Sequence, residues 1–299
     1  STLLRDGIGR LRWPVHLFWN DRDGRPQLPV RLVIAFVLFL VLAGFGNQFR
    51  PTLLSGESPV VRTVNMIGRQ LPNAVGLALG VGLAVVLVDR RPLGDLGFRL
   101  DRDWWRGLAG GTALGAAITA VPIGVGITVG YYQFEGFVGG HTLLGWIPLL
   151  IGGVFFQLLF VVPEEWFARG YVIKNVVEDL GRVGRVPIWA AAGVGIVLSS
   201  GLFYVTHAAG KGPTYGLMAG ALSILLGLGY VLGGDLSIPI GIHFGFNVAG
   251  VLAGTNPQPA SLLEVTSRAT IRESLALPVE AVVARLAVAD HPRTRGQAL

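Results

Sequence analysis

Apolar stretches of seventeen residues or more recur along this 299-residue chain. At ~1.5 Å per helical residue, each is long enough to cross ~30 Å of hydrocarbon. Hydrophobic residues make up 52% of the chain and charged residues 14%, against about 25% charged in soluble domains. The expected fold is all-α and polytopic, one bundle of about seven to eight transmembrane helices, with the lipid bilayer as its main partner.

The runs divide the chain into three parts. Residues 1–28 mix Trp13, Phe18 and Trp19 with charges and read as an interfacial segment. Residues 29–254 form a single transmembrane domain, with spans near 29–48, 72–89, 105–132, 143–177, 186–208, 214–233 and 237–254. A polar loop is expected over 49–71. Residues 255–299 carry too many charges to cross a bilayer and read as a polar tail, with a short surface helix over 278–290. The first apolar run begins only near Pro29, behind a series of arginines, and reads as a retained span.

The formal net charge of +6 comes almost entirely from arginine. These arginines sit in the loops between apolar spans, and no basic run is interleaved with aromatics. That pattern fits membrane topology and excludes nucleic acid as a partner. With the N-terminus inside, the N-terminal arm holds six Lys/Arg, the 90–106 loop five and the 169–185 loop four. The opposite loops hold three, none and one. The expected location is the cell membrane, with the Glu164 end of the fourth span towards the cytoplasm. Cysteine is absent, which removes disulfides, thiolate metal sites and a cysteine nucleophile.

Charges at bilayer depth cost about 2.5–3.5 kcal/mol each on insertion scales and are retained mainly for function or pairing. In this chain the strongly polar residues within or ending spans concentrate in the second half: Glu164, Glu165, Arg169, His207, His243 and Asn247. Glu165 and Arg169 are spaced i,i+4, with the acid first, as an intrahelical ion pair prefers. Glu164 is rotated about 100° from Glu165 and is left for chemistry. Phe203 stands one turn before His207, and His243 one turn before Asn247. Such a set can activate water. A carboxylate in an apolar pocket serves as general base, a histidine shares the proton, and His243 with Asn247 faces a developing oxyanion. No cofactor is then needed. The alternative is zinc held by Glu164, His207 and His243. An ion-coupled transporter and a non-catalytic membrane scaffold or immunity protein also remain open.

Glu164-Glu165-x-x-x-Arg169, Phe203-x-x-x-His207 and His243-x-x-x-Asn247, in that order on successive hydrophobic helices, resemble the CPBP family. This family comprises the type II CAAX prenyl endopeptidases and the bacteriocin-processing (Abi) proteins, and the resemblance covers roughly residues 143–252. It implies an intramembrane endopeptidase with a conical cavity open to the cytoplasmic side, acting on a membrane-associated peptide or protein, lipidated in some members. It further implies Glu164 and His207 as the water-activating pair, His243 and Asn247 as the oxyanion hole, and Glu165, Arg169 and Phe203 as support.

Overall fold

The computed structural model describes residues 18–21, 23–137, 143–255 and 261–267. A small hairpin, β1 (Trp19–Asn20) with β2 (Arg25–Pro26), leads into α1 (Leu28–Gly46). Helix α2 (Pro59–Leu83) ends in a π-helical turn (Ala84–Val88), and α3 (Arg102–Thr128) is followed by β3 (Tyr132–Phe137). Helix α4 (Leu143–Glu165) continues without a break through a π-helical segment (Trp166–Ile173) into α5 (Lys174–Gly181). Then come α6 (Ile188–Lys211), α7 (Pro213–Gly233), α8 (Ser237–Leu252) and β4 (Leu263–Ser267). Six helical spans are long and apolar enough to cross a membrane; α8 is apolar but shorter. The expected all-α polytopic bundle is therefore what the described residues form.

Successive spans run antiparallel, so the bundle has two ends. One, the arginine end, gathers the start of α1, the end of α2, the start of α3, α5, and the α7–α8 turn. At the other lie the α6–α7 turn, the start of α4 and the β3–β4 pair. Two sequence expectations change here. Helix α2 begins at Pro59 rather than near 72, because Ser58 caps it by accepting from Val61 N and proline suits the first turn. Its polar residues Arg62, Asn65 and Arg69 recur at helical spacing, the two arginines exposed and Asn65 half-buried, which a hydropathy reading takes for a loop. Part of the tail is also ordered: β4 pairs antiparallel with β3, with a bulge between Phe134 and Gly136. The helix expected at 278–290 and most of the interfacial segment 1–17 lie outside the described residues.

Glycine sets the approach of the helix that carries the second histidine. A Cβ on Gly245 of α8 would lie 2.1 Å from the Thr112 carbonyl oxygen, and one on Gly115 of α3 would lie 2.0 Å from the Ile242 carbonyl oxygen. Helices α3 and α8 thus touch backbone to backbone, as small residues permit in membranes.

The arginine end is sealed by buried ion pairs. Arg31 is 1% exposed; its Nη1 donates to Asp89 Oδ1 at 2.9 Å and to Asn175 Oδ1 at 2.6 Å, and its Nη2 pairs with Asp179. The Asn175 amide donates to Asp89 Oδ2 at 2.8 Å. Arg91 pairs with Glu178, and Arg25 with Asp179. Arginines that look like topological signals in the sequence therefore also tie α1, α2 and α5 together. On the rim of this network, burial works against the Asp23 charge, but Arg182 and Arg25 hold its carboxyl below the ordinary value. Beneath it lies an apolar plug of Val85, Leu96, Tyr171 and Val172, all fully buried.

Candidate functional site

The π-helical segment places the acids. Pro148 and Pro163 both lie inside α4 without ending it. The departure from α-geometry begins at Trp166, just after the two glutamates, rather than before them at Pro163 as the proline alone suggests. The segment adds width to the turn and buries nearly every side chain from Phe167 to Ile173. Wide turns of this kind recur where helices carry function.

Glu165 and Arg169 are both 0% exposed, and Glu165 Oε1 accepts from Arg169 Nη1 at 2.9 Å. The same oxygen accepts from His243 Nδ1 at 2.8 Å. This second bond departs from the sequence reading, which kept Glu165 for Arg169 and turned only Glu164 to the histidines. Arg169 Nη2 then donates to the Ser223 carbonyl at 3.0 Å and to Ser223 Oγ at 2.6 Å. Its guanidinium lies 4.9 Å from the centre of the Phe203 ring. Four elements are thereby locked around one carboxylate: α4, its π-helical continuation, α7 and α8. Desolvating two opposite charges is costly, so the pairing and the extra donors are what make this burial tolerable.

Glu164 points the other way, about one-fifth exposed, with Oε2 4.0 Å from His243 Nε2, beyond hydrogen-bond reach. His207 sits two helices away, its Nδ1 donating to the Phe203 carbonyl at 2.9 Å. That bond fixes the tautomer and leaves Nε2 with a lone pair. Phe203 joins the two histidines, its ring 4.4 Å from that of His207 and edge-on to His243 at 5.7 Å. Tyr215 stacks on the far side of His207 at 5.9 Å and accepts from Lys211 Nζ at 3.0 Å.

Glu164, His207, His243 and Asn247 all line one cavity of about 480 Å³. Its floor, at Phe39, Phe167, Ala168 and Phe203, is buried, and its rim at Gly210, Lys211 and Tyr215 is exposed. The cavity therefore opens towards the α6–α7 turn, away from the sealed arginine end. Phe36, Phe39, Phe156 and Phe160 give it an aromatic wall. Polar side chains that the sequence reading passed over also line it. Asn73 in α2 and Gln157 in α4 are both buried, so the first spans are not silent. Ser223 and Tyr215 were missed as well; a lone serine or tyrosine in an apolar helix carries no signal until packing gives it a partner. Asp235, in the short α7–α8 turn, is buried and accepts from Ser237 N at 2.9 Å.

Among the described residues, no three His, Asp or Glu side chains are gathered closely enough to hold a metal ion. Glu164, His207 and His243, the set that the sequence left open for zinc, are not gathered into such a group, although the Nδ1 contacts to Glu165 and to the Phe203 carbonyl leave Nε2 of each ring unused.

The bundle and this cavity define a polytopic helical membrane protein with a buried carboxylate–imidazole cluster facing a half-open chamber. Comparison with protein families then gives the particular group: the model described as "Type II CAAX prenyl endopeptidase Rce1-like" matches residues 145–249. The matched segment, from α4 through most of α8, is similar to the domain of that family of CAAX proteases, and it contains all seven motif residues. No curated protein and no solved structure matches the chain.

Proposed function

We propose that the chain is an intramembrane endopeptidase in which Glu164 and His207 activate a water molecule against a peptide carbonyl. The observation that carries this is the shared cavity at bundle depth, with Glu164 and the lone pair of His207 Nε2 on its wall beside a rigid Glu165–Arg169–His243 cluster. The family match over 145–249 supports a CAAX-type protease at the same level. In the proposed reaction the water oxygen adds to the carbonyl carbon and its proton passes to Glu164. The C–N bond then breaks, and the proton reaches the leaving amine. His207 Nε2 accepts a hydrogen bond from the water and orients it.

Asn247 donates to the oxyanion through its side-chain amide. His243 donates through Nε2–H only as an imidazolium, because Glu165 already takes its Nδ1–H. The apolar, phenylalanine-lined part of the cavity suits the hydrophobic or lipidated portion of a membrane-associated substrate. Glu164→Gln and His207→Gln are expected to abolish cleavage of a fluorogenic membrane-anchored peptide in proteoliposomes while thermal unfolding stays near that of the parent. Undiminished cleavage by either variant overturns the reading.

We infer the side of the membrane from charge. Among the described loop residues, Arg90, Arg91, Arg99, Arg102 and Arg106 at the arginine end outnumber Arg50, Arg62, Arg69 and Lys211 at the other. Basic loops stay in the cytoplasm, so we place the cavity mouth on the non-cytoplasmic face. This side is opposite to the expectation of a cytoplasmic active site, which put the acids near the end of a span reaching about residue 177. The helix runs sixteen residues past Glu165, to Gly181. The chain has no cysteine, so single cysteines at Arg99 and Lys211 report the side cleanly. A membrane-impermeant maleimide added to intact cells is expected to label Lys211→Cys alone; labelling of Arg99→Cys alone contradicts the assignment.

A further inference from the structure

A second hollow of about 650 Å³ lies at the same end of the bundle as the cavity mouth, with Arg50, Arg62 and Arg69 in its wall beside Thr52, Asn65 and Gln70. No carboxylate among the described residues lines it. Among the described residues, none of the ion pairs engages these three arginines. The hollow is held in shape by a set of hydrogen bonds. Asn65 Oδ1 accepts from the backbone N–H groups of Leu53 and Leu54 at 2.8 and 3.0 Å, and its amide donates to the Leu54 carbonyl at 2.9 Å. Arg69 donates to Thr52 Oγ1 at 3.1 Å. These bonds fold the segment after α1 back onto α2, so Arg50 from the segment faces one space with Arg62 and Arg69 from the helix. The hollow also adjoins the catalytic cavity. Phe156 and Phe160 line both, and Gln70 in one wall donates to Asn73 in the other at 2.9 Å.

We propose that the arginine hollow is a subsite for an acidic group of the substrate, a peptide carboxylate a few residues from the bond that is cleaved. This rests on the protease reading above and adds a specificity to it. Three guanidinium groups with polar neighbours and no carboxylate of their own create a field that an anion neutralises. Guanidinium also matches a carboxylate with paired N–H donors. Distance sets the position of the acid. Phe156 and Phe160 precede Glu164 by eight and four residues, ~12 Å and ~6 Å along a helix. An extended peptide rises ~3.3 Å per residue, which puts the acidic group about two to four residues from the scissile bond. A substrate lying across the Phe156–Phe160 wall then sets its apolar part in the phenylalanine-lined cavity and its charge at the water-facing arginines.

The test is fluorescence anisotropy on the full chain in detergent micelles, with Glu164→Gln as the non-cleaving form. The probes are two labelled apolar peptides that differ only by Asp or Asn three residues from the intended cleavage point. The Asp peptide is expected to bind roughly tenfold tighter, as for hydrogen bonds to charged groups, and to lose that advantage as salt rises. Arg62→Gln/Arg69→Gln is expected to remove the preference while leaving the Asn peptide unaffected, and Arg50→Gln, on the other wall, to reduce it. Equal binding of the two peptides, or a preference that survives the double substitution, overturns the proposal. It also falls if the substitutions alter only the response to added phosphatidylglycerol, which would make the hollow a headgroup site. Anisotropy needs no turnover, so failure of the subsite is read separately from failure of the protease reading.

Discussion

Two buried arginines stand at different depths of the same bundle, and their surroundings differ in one respect. Arg31 at the sealed end and Arg169 at the cavity floor are both almost completely buried, and each pairs with a buried carboxylate at 2.9 Å. Around Arg31 the valences of the carboxylate are used up: Asp89 Oδ1 takes Arg31 and Oδ2 takes Asn175. Around Arg169, Glu165 Oε1 is shared between the arginine and His243, and Oε2 has no partner among the described residues. The first cluster fastens helices to one another. The second also fastens an imidazole, whose other nitrogen faces a cavity. Burial and ion pairing therefore do not separate the two clusters; a ring nitrogen turned towards open space does.

This contrast predicts that the two clusters fail differently. Arg31→Met leaves Asp89 buried and half-paired, which is expected to cost about 3–5 kcal/mol of stability. Thermal unfolding would shift strongly, while the folded fraction keeps its turnover number. Loss of turnover without a stability change would break the comparison. Asn247→Ala should do the reverse, lowering kcat about 10²–10³-fold, as for one oxyanion donor, with little change in unfolding temperature. Gly245→Ala forces a methyl against the Thr112 carbonyl and is expected to cost about 1–3 kcal/mol. Because α8 carries His243 and Asn247, activity should fall together with stability. Tyr215→Leu removes the ring stacked on His207 and is expected to cost about 0.5–1.5 kcal/mol, seen as a several-fold change in kcat. Each readout is a melting curve paired with a cleavage assay on the same preparation.

What the sequence revealed and what it hid follow a physical line. Relations within one helix were legible, because periodicity alone decides them: Glu165 with Arg169, and Phe203 against His207. The grouping of polar residues in spans 4, 5 and 7 was legible for the same reason that it is costly, since charge in an apolar run is conspicuous. Relations between helices were not. The bond from His243 to Glu165 and the clamp of Ser223 on Arg169 depend on how α7 and α8 rotate against α4. Close glycine contacts such as Gly115 on Ile242 set that rotation, not spacing. The direction of the cavity was hidden too, because hydropathy gives the length of a span but not which face of it packs against the histidine-bearing helices or where the space between them opens.

The most direct measurement sets the two clusters side by side in one proteoliposome assay of peptide cleavage, with thermal unfolding followed on the same samples. The account predicts that Glu164→Gln melts like the parent and cleaves at least ~10²-fold more slowly, as loss of a general base requires. Arg31→Met should melt earlier and cleave normally while folded. Parental cleavage by Glu164→Gln, or a folded Arg31→Met variant that cannot cleave, would contradict it.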